Sequence, residues 1–398
     1  MYVLSAKRVA WLNSVLDYAP PNLNSIPQSY PLSTEWNIAK TPMNPVLRLL
    51  SLLLALTVSL PVLADHNVGV STLSVASPGR DKDLAVTVWY PALSGGEKTL
   101  VGGGRIFNGT PAFANAPVAP GQYPLILLSH GSGGSVEGMS WIASRLAAAG
   151  YIVAGPNHPG TTSGDSTPQA TPKLWQRTQD LSTVLNALTR DGQWKNAIDS
   201  DRVGVLGFSL GGAAGMQIAG ARAKREAYAR YCEQNAAEDC AFYAGGKGYL
   251  NGKAVAVEKV DLRQIDRARF EQDNRDPRIR AAVIVDPGLA QAYDAKSLQQ
   301  IAIPVQYINL GRPADIPIAI TAVKLAKLTP HSRYAQVNDA VHLSFLDECK
   351  DGAAAFLKSV GEVDPICEDA GVRTRADIHA ELVGIIVPAF DRMLKGGV

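Results

Sequence analysis

Cysteine, aromatic residues and any surplus of one charge are all scarce in this 398-residue chain. Four cysteines cannot build a disulfide scaffold, although they suffice for two bridges. The 38 Lys and Arg against 36 Asp and Glu leave no basic footprint for a nucleic-acid partner. Metal-ligand spacings such as Cys-x-x-Cys are missing, which argues against a zinc centre. Neither Gly-x-x-x-x-Gly-Lys-Ser/Thr nor Gly-x-Gly-x-x-Gly occurs, so the common phosphate-binding loops are excluded. What is present is 46% apolar and 19% charged residues, a composition that builds a packed core and rules out a disordered chain.

One apolar run stands out, Leu49 to Leu63, preceded by Met43-Asn44-Pro45-Val46-Leu47-Arg48 and followed by Ala64-Asp65. A short positive region, about 15 apolar residues and a small residue at a plausible cut make a secretory signal over 43–64. The run falls short of the ~20 residues that a bilayer span needs, so no membrane span is expected in the mature chain. Residues 1–42 show no periodicity and carry Pro20-Pro21; they read as a non-structural leader or a misassigned start, with Met43 as the true one. Lys7, Arg8, Lys40 and Arg48 against Asp17 and Glu35 account for the whole basic excess, which leaves residues 65–398 formally neutral. Export places all four cysteines in an oxidising compartment, periplasmic or extracellular. Local pairing, Cys232 with Cys240 and Cys349 with Cys367, is the preferred connectivity.

From residue 84 onward strands and helices alternate. Leu84–Tyr90 is a strand that stops at Pro91, and the Gly/Pro-rich stretch 92–122 reads as loop. Short apolar runs at 125–128, 151–154, 203–206, 281–285 and 304–309 are of buried-strand type, and 137–149, 173–190, 319–328 and 376–394 are helical. This predicts an α/β fold, a mostly parallel central sheet with helices on both faces. Residues 222–275 interrupt the alternation and form a cap-like, helical insertion before the sixth strand, with a loop around Gly245-Gly246-Lys247-Gly248.

The chemistry sits at strand ends. Gly207-Phe208-Ser209-Leu210-Gly211 follows an apolar strand and opens a helix, the context in which a serine on a sharp turn becomes an exposed nucleophile. Ser129-His130-Gly131-Ser132-Gly133-Gly134 ends an earlier strand, and its glycines let backbone N–H groups approach a substrate oxygen. The expected oxyanion donors are the N–H of Leu210 and one from this loop, Ser132 first, then Gly131. A serine nucleophile needs a base that follows it in the chain. Of the late histidines, His331 precedes the last strand and His379 lies in the terminal helix, which leaves His342. The acid is Asp286, after the strand at 281–285, or Asp315, after the next strand.

These stretches, with Arg177-x-x-Asp180-Leu181, Val285-Asp286-Pro287 and Val341-His342-x-x-Phe345, resemble the α/β-hydrolase superfamily across about residues 65–395. Within it the likeness is to exported dienelactone-hydrolase-like esterases and platelet-activating-factor acetylhydrolases. The acetylhydrolase pattern favours Asp286 as acid, whereas the cutinase-like polyester hydrolases favour Asp315. Dienelactone hydrolase uses a cysteine nucleophile where this chain has Ser209. The resemblance implies a serine esterase that takes a small-molecule or lipid ester, with a peptidase or amidase as the rival activity, and it calls for no metal or organic cofactor.

Overall fold

The computed structural model describes residues 66–396 apart from 191 and 372. The expectations for the leader 1–42 and the signal 43–64 lie outside the described residues. The strands are β1 (Asn67–Val75), β2 (Leu84–Ala92), β3 (Glu97–Val101), β4 (Thr110–Ala114), β5 (Tyr123–Ser129), β6 (Ile152–Pro156), β7 (Thr161–Thr162), β8 (Asp165–Ser166), β9 (Ile198–Phe208), β10 (Gly246–Leu250), β11 (Lys253–Val257), β12 (Ile279–Val285), β13 (Val305–Leu310) and β14 (Ser332–Val337). Ten of them form one sheet in the order β14-β13-β12-β9-β5-β6-β2-β1-β4-β3. The stretch from β14 to β6 is parallel throughout, and β2 pairs antiparallel with β6 to begin a mixed flank.

Period-2 alternation divides the core between the two faces of this sheet. On one face Leu125, Leu127, Val203, Val205, Ala282 and Ile284 pack against helix α1 (Leu174–Arg190) and helix α2 (Leu210–Ile218). On the other, Ile126, Leu128, Leu206, Phe208, Val283 and Val285 pack against the terminal helix α3 (Arg375–Leu394) and against Trp141, Ile142 and Leu146. Strands buried on both faces need apolar residues at every position, which is why they read as continuous runs rather than alternations. The terminal helix starts where Thr374 accepts from Asp377 N and the Asp377 carboxylate accepts in return from Thr374.

Three expectations are corrected. The strand ending at Pro91 instead runs through it to Ala92. The Pro91 carbonyl accepts from Ala119 N, so its missing N–H faces that irregular segment and costs no bond to β1. The stretch 92–122 is not all loop: β3 and β4 pair antiparallel, and β4 runs parallel beside β1. The insertion 222–275 is only partly helical. It holds a helix over Arg225–Gln234 and the hairpin β10–β11, whose first strand begins at Gly246, where a loop was expected. Through Tyr249 opposite Ser166 the hairpin joins β8 and β7 in a second, four-stranded sheet.

Cys232 is bonded to Cys240 and Cys349 to Cys367, with Cα atoms 5.3 and 5.7 Å apart. Among the described residues no helix is long and apolar enough to cross a membrane.

Candidate active site

Parallel strands deliver their following residues to one edge of the sheet, and the candidate residues collect there. Ser209 stands between β9 and α2 with φ 57° and ψ −118°, a conformation that costs a non-glycine residue energy. Its N–H donates to Val285 O (3.0 Å) across the neighbouring strand end. The flanking glycines are explained by contact. A Cβ at Gly207 would lie 2.2 Å from Gly211 O, and one at Gly211 would lie 1.9 Å from Ser129 O. No side chain fits at either position without moving backbone, so the turn can be this sharp only with glycine on both sides.

Ser209 Oγ is 3.0 Å from His342 Nε2, and His342 Nδ1 is 2.9 Å from Asp286 Oδ2. A carboxylate at Nδ1 requires the proton there, so Nε2 is left to accept from the serine hydroxyl. Asp286 follows β12, is fully buried and has φ 44°. Its other oxygen accepts from Asn309 Nδ2 (2.7 Å) and Leu310 N (3.0 Å), both neutral donors from β13. Asn309 is itself fixed by Ile320 O and Ala322 N. Asp315, the other candidate acid, is exposed in the turn after β13, while Asp286 occupies the imidazole Nδ1.

His342 opens a turn that is held from behind. Trp141 Nε1 donates to Phe345 O (2.9 Å) and its indole stacks on the His379 ring at 3.7 Å. His379 Nε2 meets Ser344 O and Leu346 O, each at 3.0 Å, and burial pushes this imidazole down to about 4. Arg375 pairs with Asp369, whose carboxylate also accepts from Ser344 Oγ (2.6 Å). The bridge Cys349–Cys367 closes the same segment. The sequence reading assigned no function to Trp141, Asn309 or Arg375, and it set His379 aside as a base. Only Asn309, a polar residue within the mostly apolar stretch 304–309, left a signal in the sequence.

The loop after β5 faces the serine: a Cβ at Gly131 would lie 3.3 Å from Ser209 Cβ. Leu210 is the first residue of α2, so its N–H has no acceptor within the helix and is available at the serine. Beneath the loop lies a second set of the same residue types. Ser129 Oγ is 3.0 Å from His158 Nε2, and His158 Nδ1 is 2.8 Å from Asp180 Oδ2. Asp180 is held by Arg80 through two bonds of 2.6 and 2.8 Å. Burial pushes His158 well below the usual histidine range, and the charges of Arg177 and Arg80 push the same way. His130 is lowered for the same first reason.

A ferulic acid esterase from Streptomyces cinnamoneus superposes with a TM-score of 0.56 at 21% identity, over 83% of this chain and 91% of that one. The chain has the α/β-hydrolase fold. A family model described as PETase, PET hydrolase-like, matches residues 91–238 of the chain, a span that contains the loop after β5 and the turn at Ser209. A dienelactone hydrolase from Anabaena variabilis aligns at 14% identity over 75% of this chain and 96% of that one, with a TM-score of 0.39, too low to bear on the fold. The matched family and the superposed structure are named for hydrolases that act on esters. Among the described residues no group of three or more His, Cys, Asp or Glu side chains could hold a metal ion.

Proposed function

We propose that this hydrolase is an exported serine carboxylic-ester hydrolase working through an acyl-enzyme on Ser209. The observation that carries the reading is the relay Ser209 Oγ–His342 Nε2–Asp286 at 3.0 and 2.9 Å, set on a strained turn at the start of α2. Ser209 Oγ attacks the ester carbonyl carbon while its proton passes to His342 Nε2. Asp286 keeps the second imidazole proton on Nδ1 and stabilises the imidazolium. The negative oxygen of the tetrahedral intermediate collects the N–H of Leu210 and that of Ser132 or Gly131. His342 then gives its proton to the leaving alcohol oxygen, and the acyl group stays on Ser209. A water molecule loses a proton to His342 and attacks the acyl carbonyl; collapse releases the acid and restores the serine.

Turnover of short-chain p-nitrophenyl esters by the purified enzyme tests the reading, with the matching anilides beside them. Esters cleaved much faster than anilides are expected, and loss of ester turnover in Ser209→Ala. Anilides cleaved faster than esters would replace the esterase with an amidase. The PET hydrolase-like match over 91–238 favours a second reading, in which the ester belongs to a polyester; release of soluble acid from a polyester film tests it. Export is supported by the signal-like residues 43–64 and by the two disulfides. N-terminal sequencing of the secreted protein is expected to begin near Asp65; residues 1–42 found there would overturn this.

A further inference from the structure

The buried cluster under the oxyanion loop has the spacing of a catalytic relay but none of its access. Ser129, His158 and Asp180 are each fully buried, so no substrate reaches them. Their neighbour Arg177, on α1, is also buried, and its donors meet only neutral oxygens. Nη1 donates to His130 O (2.7 Å) and Ser129 Oγ (3.4 Å), Nη2 to Gly131 O (3.4 Å) and Thr161 O (3.5 Å), and Nε to Thr161 Oγ1 (3.1 Å). Gly131 O further accepts from His130 Nδ1 (2.7 Å), whose ring is fixed because its Nε2 accepts from His158 N (3.1 Å).

Two consecutive carbonyls of the loop therefore point at one guanidinium. Among the described residues no peptide bond is cis, and in a trans peptide unit the N–H points opposite to the C=O. The N–H groups sharing those units belong to Gly131 and Ser132. Both are turned away from Arg177, out of the buried cluster, and Gly131 is the loop residue that abuts Ser209.

We propose that Arg177 is the positioning residue of the oxyanion hole: by holding the carbonyls of His130 and Gly131, it aims the N–H groups of Gly131 and Ser132 at the oxygen that becomes negative in the transition state. The inference rests on the serine-esterase reading above. A role in stability alone does not require a buried cation whose hydrogen bonds all go to neutral oxygens, with the Asp180 carboxylate acting on it only through space, since apolar residues of similar volume often serve as well. A lysine could not replace it, because only the planar fork reaches both carbonyls and Thr161 at once.

The test uses Arg177→Met and Arg177→Lys in the full enzyme, with kcat and KM for p-nitrophenyl butyrate and the Kd of a boronic acid that forms a tetrahedral adduct on Ser209. A hole that loses its aim weakens only the transition state, so kcat is expected to fall about 100-fold in Arg177→Met and about 10-fold in Arg177→Lys, with KM held within about threefold. Boronate affinity should fall in step with kcat. Thermal melting shows whether each variant is folded at the assay temperature; should Arg177→Met fail to fold, Arg177→Lys carries the test with its own about 10-fold loss. A folded variant with kcat within about twofold of wild type overturns the inference, as does a kcat loss with undiminished boronate affinity. Wild-type enzyme that neither turns over the ester nor takes a fluorophosphonate label on Ser209 overturns the esterase reading itself, a result distinct from an unaffected Arg177 variant beside an active wild type.

Discussion

Ser209–His342–Asp286 and Ser129–His158–Asp180 are built from the same three side chains at nearly the same distances, 3.0 and 2.9 Å in one and 3.0 and 2.8 Å in the other. What separates them is charge and access. The carboxylate of Asp286 takes its other hydrogen bonds from neutral groups, Asn309 and Leu310 N, so its charge is available to an imidazolium. Asp180 is already clamped by Arg80, and burial together with two guanidinium groups works against a proton on His158. Ser209 stands on a strained turn at the sheet edge, whereas Ser129 is the last residue of a strand buried along its whole length. On the proposed function, a relay of three residues is a scaffold for proton transfer in one place and a hydrogen-bonded brace in the other.

That contrast breaks first at the two serines. Ser209→Ala is expected to lower kcat by at least about 10,000-fold. Ser129→Ala should lower it by less than about tenfold while costing about 1–2 kcal/mol of stability, because the buried His158 Nε2 loses its donor. Steady-state kinetics and urea unfolding on both variants check this, and equal kinetic losses would erase the distinction. At the acids, Asp286→Asn should cost about 10,000-fold in kcat through the wrong imidazole tautomer, and Asp315→Asn less than about twofold. The reverse order would move the acid to the later turn.

A smaller effect separates the histidines by pH. His379 is held down to about 4 by burial, below its ordinary 6.5. The unfolded chain therefore binds this proton first, and stability falls as pH drops from about 6.5 to about 4, by at most about 3 kcal/mol from this group. Urea midpoints at pH 7 and pH 4.5 should draw apart in wild type and draw closer in His379→Gln. An unchanged gap would remove His379 from the acid response.

The two relays were unequally legible in the sequence. The turn at Ser209 announced itself because Gly207 and Gly211 are forced by backbone contacts, and such contacts leave a local pattern. His342 could be reached by order along the chain. The choice between Asp286 and Asp315 stayed open, because β12 and β13 end at the same edge and only the packing of the His342 turn selects one. The second relay left no local trace: Ser129 and Asp180 stood in stretches that carried the family resemblance, but His158, between them in the chain, had no assigned role. The hairpins β3–β4 and β10–β11 were hidden by glycine and proline around them and by strands that are largely exposed.

The positive φ of Ser209 carries a last consequence, for anyone who evolves this enzyme. At 57° and −118° the backbone would favour glycine over the serine that the proposed chemistry demands. A library sorted for thermal tolerance alone is therefore expected to drift towards Ser209→Gly, and its hardiest members would be inert. Screens on this protein need turnover as a second gate, because at this one position durability and work select different residues.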